Sequence, residues 1–381
     1  MPYKSASLPW GTQKARREGD GSGKGELLKT GSLRRAVLPF TALVVLACSL
    51  ALAACGGGSS SSSTTASTSS GEEGASGGTT SGSGAEGVKI GYFNGGTSNS
   101  YLVAAKKAAE EKAAELGMEL TPVESNFEPQ LQVQQMEQAE QRHSFDYWIM
   151  AANSGEEECG AIKNAINQGI KVYVLITQVC GEMGEGIGAI GFVGTQTPEL
   201  YGTWFDNMLA ENEPEEMALI TGPAETDITG YAEEELEKAT KKYPGFDVVS
   251  VENTGYTTGE AFEVTQDILQ AHPNIGMIAS NYAGMTGGVV QAVKAAGKIG
   301  KVKIYDLLGE KVIKKFIENG EVTSTLPGLP ATESVYAVES IAKAAEGKKI
   351  EPFAYNPVES IEIKGGPFVT KKNVAEFEPE Y

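Results

Sequence analysis

A strand-and-helix alternation that runs through one half of the chain, stops and starts again constrains this sequence more than any other feature. Val88 to Phe93 reads as a strand. A helix follows, with Leu102, Ala105, Ala109, Ala113 and Leu116 spaced three and four apart, ending at Gly117. Met118 to Glu124 (strand), Gln130 to Gln141 (helix), Tyr147 to Ala151 (strand), Gly160 to Gln168 (helix) and Lys171 to Ile176 (strand) complete a first series. Met217 to Ile220, Ala232 to Lys242, Asp247 to Glu252, Gly259 to Ala271, Gly276 to Ala279, Gly287 to Ala296 and Val302 to Tyr305 repeat the rhythm, again strand first. The strands are almost continuously apolar, as parallel strands covered on both faces must be. The fold class is therefore α/β, with two Rossmann-like lobes, and ligands are expected in the crevice outside the carboxyl ends of the strands.

The region before this body has a different character. Of the 381 residues, the first 54 carry 8 basic and 3 acidic side chains, whereas the remainder carries 23 basic and 47 acidic. Ala36 to Ala54 is a 19-residue stretch without charge, directly after Arg34 and Arg35, which is the pattern of a secretory signal. Its length also suits a membrane span. Leu52-Ala53-Ala54-Cys55 resembles the lipobox of bacterial lipoproteins, which implies export, cleavage before Cys55 and a lipid anchor on its thiol. Cys48 has a bulky residue where the lipobox takes a small one. Residues 56 to 87 are Gly, Ser, Thr and Ala with three glutamates, a composition with no core to bury. As a flexible coil they would reach roughly 30 Å. Residues 1–55 are thus read as signal and anchor, and 56–87 as tether.

A formal charge of −19 disfavours nucleic acid as a partner. The sequence holds two histidines, His143 in a polar run and His272 in a turn before Pro273, so a His-based catalytic constellation is poorly supported. It has no GxxxxGKS, HExxH or GxSxG segment. No cofactor and no metal are expected.

Several stretches resemble one family. Ile268-Leu269-Gln270-Ala271-His272-Pro273-Asn274-Ile275 followed by Met277-Ile278-Ala279-Ser280-Asn281 resembles the helix, turn and strand of type I periplasmic binding proteins, the ribose and galactose group that feeds sugar ABC transporters. Gln168 to Val174, Asn319 to Thr325 and Ala345 to Lys349 resemble further stretches of that family, in the same order. The resemblance spans residues 88 to about 365. It implies three crossings between lobes, near Phe192 to Thr197, Leu326 to Pro330 and Asn356 to Glu359. Lobe one would be 88–192 plus 328–357, and lobe two 193–327 plus 358–381. Pro198, Pro327, Pro330 and Pro357 lie at or beside these crossings, as hinge-limiting residues or as ordinary loop prolines.

The resemblance also points to ligand-binding positions. Asn99-Ser100-Tyr101 is similar to the family's ligand-binding segment, with Asn99 bonding hydroxyls and Tyr101 stacking on a ring; a helix cap and a packed aromatic are the plainer roles. Phe93 ends the first strand and divides between core and cleft. Asn153 and Gln178 follow strands three and four, Gln178 standing where the family often has a charged residue and equally readable as a solvated loop. Thr226, Asn281, Tyr282 and Asp306 come from lobe two. Asp306 is the strongest of them, a carboxylate expected just after an apolar strand, where it would accept two hydroxyl hydrogen bonds. The family's arginine near Gly230 and glutamine near Gly328 are missing, and Tyr231 and Glu333 are candidates to compensate.

Cys159 and Cys180 each follow a strand of lobe one, and an exported compartment predicts that they form a disulfide; a reduced pair or a metal site is the alternative. The whole implies a lipid-anchored, extracytoplasmic and monomeric solute-binding protein, not an enzyme. It would capture a small neutral polar ligand of sugar type and deliver it to an ABC transporter permease. A sensor of the same fold, or an exported carbohydrate-active enzyme, are the rivals.

Overall fold

The computed structural model describes residues 84–350 and 363–381. Cys55, nearly all of the tether and the third expected crossing lie outside the described residues.

Among the described residues the chain first builds a parallel sheet from β1 (Lys89–Asn94), β2 (Glu119–Glu124), β3 (Tyr147–Met150), β4 (Lys171–Leu175) and β5 (Gly191–Val193), in the order β2-β1-β3-β4-β5. Helices α1 (Ser100–Glu115), α2 (Pro129–Gln141) and α3 (Cys159–Asn167) connect the strands. Strand alternation divides the side chains. Tyr92, Ile149 and Tyr173 share a cluster with side chains of α1 and of the later helix over residues 330–345, while Phe93, Trp148 and Met150 cluster with Met136 of α2 and Ile162 of α3. Phe93 is therefore a core residue on the face away from α1, its ring centroid 4.7 Å from that of Trp148, and not a cleft residue.

After β5 the chain enters α4 (Pro198–Ala210) and a second sheet made of β6 (Glu216–Thr221), β7 (Asp247–Asn253), β8 (Met277–Ser280), β9 (Lys303–Leu308), β10 (Ser324–Pro327) and β11 (Val369–Thr370), in the order β11-β10-β9-β8-β6-β7. All pairs are parallel except β10 with β11. Helices α5 (Asp227–Lys242), α6 (Thr258–Ala271), α7 (Ala283–Ala295) and α8 (Lys311–Asn319) join these strands. Helix α9 (Pro330–Ala345) then returns to the first sheet, packing along α1 and against β4 and β5. Pro198 and Pro330 stand in the first helical turn of α4 and α9, where a proline has no lost N–H to pay for, and Pro327 closes β10.

Two elements start earlier than periodicity indicates. Helix α5 begins at Asp227, five residues before Ala232, with Thr226 as its cap residue. Helix α7 begins at Ala283 because its glycines are helical contact points and not a boundary: a Cβ on Gly288 would lie 2.2 Å from the Thr258 carbonyl of α6. Strand β9 runs three residues past Tyr305, which carries Asp306 inside the sheet between Ser280 and Thr325.

Cys159, the first residue of α3, is joined to Cys180 in the loop after β4, with 21 residues of separation. The Cys180 N–H also donates to the Gly155 carbonyl (2.8 Å), so the bridge braces the loop between β3 and α3. In the chain-entropy treatment a loop of this length stabilises by about 3 kcal/mol. Cys180→Ser is expected to lower the unfolding free energy by about that amount in denaturant titrations under oxidising conditions, and no loss would show that the bridge contributes nothing there.

Candidate functional site

Because the strands of each sheet run parallel, β11 apart, the loops that leave their carboxyl ends emerge on one edge, and the two edges face each other. Between them lies a cavity of about 530 Å³, counting the part open to solvent. From the first sheet it is lined by Asn99, Tyr101, Phe127 and Asn153 with Ile176, and from the second by Thr226, Tyr256, Asn281, Tyr282 and Leu308, with Gln196 contributed by the first crossing. Among the described residues, no Asp, Glu, Lys, Arg or His lines it.

Contacts between the lobes around this space include the following. Asp227, at the start of α5, accepts from the Ser154 hydroxyl (2.9 Å) and the Gly155 N–H (2.6 Å), while its own N–H donates to the Asn153 carbonyl (3.2 Å). The Tyr282 hydroxyl accepts from the Ser100 N–H (2.8 Å) and lies 2.8 Å from the Ser100 hydroxyl, which donates to Glu310 (2.6 Å). The Phe127 and Tyr256 rings meet at 5.1 Å, and Tyr256 sets its edge against Tyr282. Tyr256 can approach because residue 222 is glycine: a Cβ there would lie 1.9 Å from its ring.

A further network sits at the crossings. The Tyr101 hydroxyl donates to Glu333 (3.0 Å) in the first turn of α9 and lies 3.1 Å from the Thr195 hydroxyl in the first crossing. Thr195 also bonds Glu333 through its side chain and backbone. Burial pushes the Glu333 carboxyl up to about 8, so it sits there chiefly as a neutral acid at neutral pH. Glu333 thus ties the cavity wall to both crossing segments and does not face the cavity.

Four non-glycine residues that line the cavity have positive φ: Phe127 (59°), Ile176 (73°), Tyr256 (61°) and Leu308 (78°). For a β-branched residue such as Ile176 this is a costly conformation. Surrounding bonds hold it, the Ile176 N–H donating to Val193 and its carbonyl accepting from Gln196.

The polar residues divide into those engaged by the protein and those that are not. Asn99 caps α1, its Oδ1 accepting from the Leu102 N–H (2.8 Å), and still lines the cavity. Asn153 donates from Nδ2 to Ser125 (2.7 Å), and its N–H is held by Gln132 and Glu158. Burial raises that Glu158 carboxyl to about 8. The Thr226 hydroxyl donates to the Pro223 carbonyl (2.9 Å). Asn281 is 1% exposed, and neither its Nδ2 nor its Oδ1 makes a hydrogen bond of normal geometry, the Tyr201 hydroxyl being the polar group beside them.

Besides Phe93, two of the expected residues lie off the cavity. Asp306 does accept two hydroxyl hydrogen bonds, but they come from Thr286 (2.5 Å) and Thr325 (2.6 Å), with the Gly309 N–H as a third donor (3.1 Å). It is fully buried in β9 and does not line the cavity, because that strand extends past it. Gln178 does not line it either; its carbonyl side faces Gly155, under the disulfide-braced loop. Sequence reasoning passed over Phe127, Gln196 and Tyr256, of which Phe127 and Tyr256 stand in turns just before the proline and threonine that open α2 and α6. An aromatic at such a turn was the available signal.

Residues 90–349 match the family described as periplasmic binding protein domain. The chain belongs to that family. It is a type I periplasmic binding protein of the ribose and galactose group, a family of solute-binding proteins. Among curated relatives, the D-allose-binding periplasmic protein of Escherichia coli is 26% identical over 270 residues, covering 68% of this chain and 85% of that one. The ribose import binding protein of the same organism is 22% identical over 255 residues, covering 66% and 83%. Among solved structures, an ABC transporter solute-binding protein of Actinobacillus succinogenes with bound D-allose superposes with a TM-score of 0.64 at 23% identity, covering 76% of this chain and 100% of that one. One from Bacillus halodurans with bound myo-inositol gives 0.67 at 18% identity, covering 78% and 99%. At these identities the structures speak to the fold.

Burial pushes the Asp306 carboxyl up to about 7 against the pull of Thr286, Thr325 and Gly309. The folded state therefore keeps this proton where the unfolded chain has lost it, and stability falls as pH rises from about 4 to 7. Asp306→Asn removes that dependence. The variant is expected to gain stability relative to the wild type across this window, read as the difference in melting temperature at successive pH values; a constant difference would show that Asp306 ionises normally.

Proposed function

We propose that this binding protein captures a small uncharged solute of sugar type between its lobes, outside the cytoplasmic membrane, and presents the closed form to an ABC transporter permease. The observation that carries the reading is the cavity at the facing strand ends, with the Asn281 carboxamide buried in its wall and making no regular hydrogen bond to the protein. A buried amide in that state is costly unless a ligand completes it. The names of the relatives support the solute class, since those proteins bind D-allose and ribose. The lack of any charged side chain among the described lining residues supports an uncharged guest.

Ligand contacts on both lobes act together with the Asp227 and Tyr282 contacts, which exist only when the lobes meet, and so favour closure. On this reading the protein binds and releases its solute unchanged, which is in keeping with the buried acids Glu158, Asp306 and Glu333 being held by the protein and, among the described residues, none of them lining the cavity. Among the described residues no helix is long and apolar enough to cross a membrane. The tether to the membrane is assigned to a lipid on Cys55, and the protein to a monomeric state. Residues 84–193 with α9 form one jaw, which carries Asn99, Tyr101 and Asn153, and residues 198–327 with the tail form the other, which carries Thr226, Asn281 and Tyr282.

Calorimetry and small-angle scattering of the purified protein with ribose, D-allose and myo-inositol test the reading: binding accompanied by a smaller radius of gyration is expected, and a particle that neither binds nor narrows with any small neutral solute would overturn it. Asn281→Leu should weaken binding at least about tenfold while leaving the melting temperature of the free protein near that of the wild type. Asp227→Asn should weaken binding less, by about threefold to tenfold, because it touches closure and not the ligand. Metabolic labelling with an alkyne fatty acid checks the anchor, with Cys55→Ala expected to abolish the label.

A further inference from the structure

Resting on the reading of a sugar-type ligand, we infer that the preferred guest is a deoxy sugar, a ring with a hydroxyl-free edge, in preference to a fully hydroxylated sugar or polyol. Every hydroxyl of a bound sugar brings a donor that needs its own acceptor once water is excluded. The cavity is short of them. Its hydroxyl groups are bonded within the protein: Tyr101 to Glu333 and Thr195, Tyr282 to Ser100, Tyr256 to Thr226 and Thr229, and Thr226 to the Pro223 carbonyl. The side-chain acceptors that remain in the lining among the described residues are carboxamide oxygens, those of Asn153, Gln196 and Asn281, the last beside the Tyr201 hydroxyl. No carboxylate, which could take two hydroxyls at once, joins them in the lining.

The remaining wall is apolar and is held in place at a cost. Ile176 and Leu308 reach the cavity from left-handed backbone positions, fixed by bonds to Val193 and Gln196 in one case and by Gly328 and Tyr381, which donate to the Leu308 carbonyl, in the other. Ile228, from the first turn of α5, and Phe127 also line the cavity. A hydroxyl directed at such a wall loses its water and gains nothing, whereas a methyl or methylene group there gains contact. Aromatic faces and a few carboxamides remain suited to a ring of mixed character.

The experiment is calorimetry of the full chain with matched pairs: L-fucose with L-galactose, L-rhamnose with L-mannose, 6-deoxy-D-allose with D-allose, and 2-deoxy-D-ribose with D-ribose. The deoxy member of at least one pair is expected to bind, about tenfold or more tighter than its parent. Ile228→Asn, which sets an acceptor into the apolar wall, is expected to narrow that ratio. Parents that bind as tightly as or tighter than their deoxy partners overturn this inference and leave the proposed function standing. Absence of binding to every member of the panel, together with ribose-type polyols, counts against the sugar reading itself, and this inference falls with it.

Discussion

Parallel strand pairing is the constraint on which the rest of this structure depends. It forces the parallel strands of a sheet to end on the same edge, so the loops that carry Asn99, Asn153 and Ile176 from one sheet and Thr226, Tyr256 and Asn281 from the other gather on two facing rims. Nothing else in the chain would bring residues so far apart in sequence to one small space. The chain also passes between the sheets by short segments, around Thr195 and around Gly328, and these leave a few backbone torsions to absorb any movement of one rim against the other.

Three buried acids show how that geometry is maintained. Glu158 holds the N–H groups of Asn153 and Ser154, Glu333 holds Tyr101 and the first crossing, and Asp306 holds Thr286 and Thr325 beneath the second rim. In each the carboxyl is raised by burial, and each fixes a loop or strand end that lines or borders the cavity. Carboxylic acids that a sequence reader would assign to ligand thus serve the frame. The lining of the cavity falls to carboxamides, hydroxyls, rings and aliphatic groups, which hold no charge that would have to be desolvated.

The sequence disclosed the architecture well. Apolar runs separated by helix-spaced positions gave most strands and helices to within a few residues, since that pattern is a local property of the chain. Between Ile176 and Met217 and again beyond Tyr305 the reading was thinner: α4, α8, β10 and α9 were not resolved into elements, and neither was the three-residue β5, too short to show a period. Of the expected ligand residues, Asn99, Tyr101, Asn153, Thr226, Asn281 and Tyr282 line the cavity, all at strand ends or helix starts. Phe93, Gln178 and Asp306 do not. A shift of one residue along a strand reverses the face a side chain takes, and an extension of three residues buries what a loop would have exposed.

The alternation of strand and helix, the doubling of that series and the polar residues at element ends were therefore fixed by the order of amino acids alone, because each depends only on neighbours within a turn or a strand. Tertiary structure decided which of those polar groups the protein would engage itself. Thr286 and Thr325 come to Asp306 from 20 residues before it and 19 residues after it, and Phe127 meets Tyr256 across the lobes. Such pairings arise when separate elements pack, and hydrogen-bonding capacity remains for a ligand only where packing has left it.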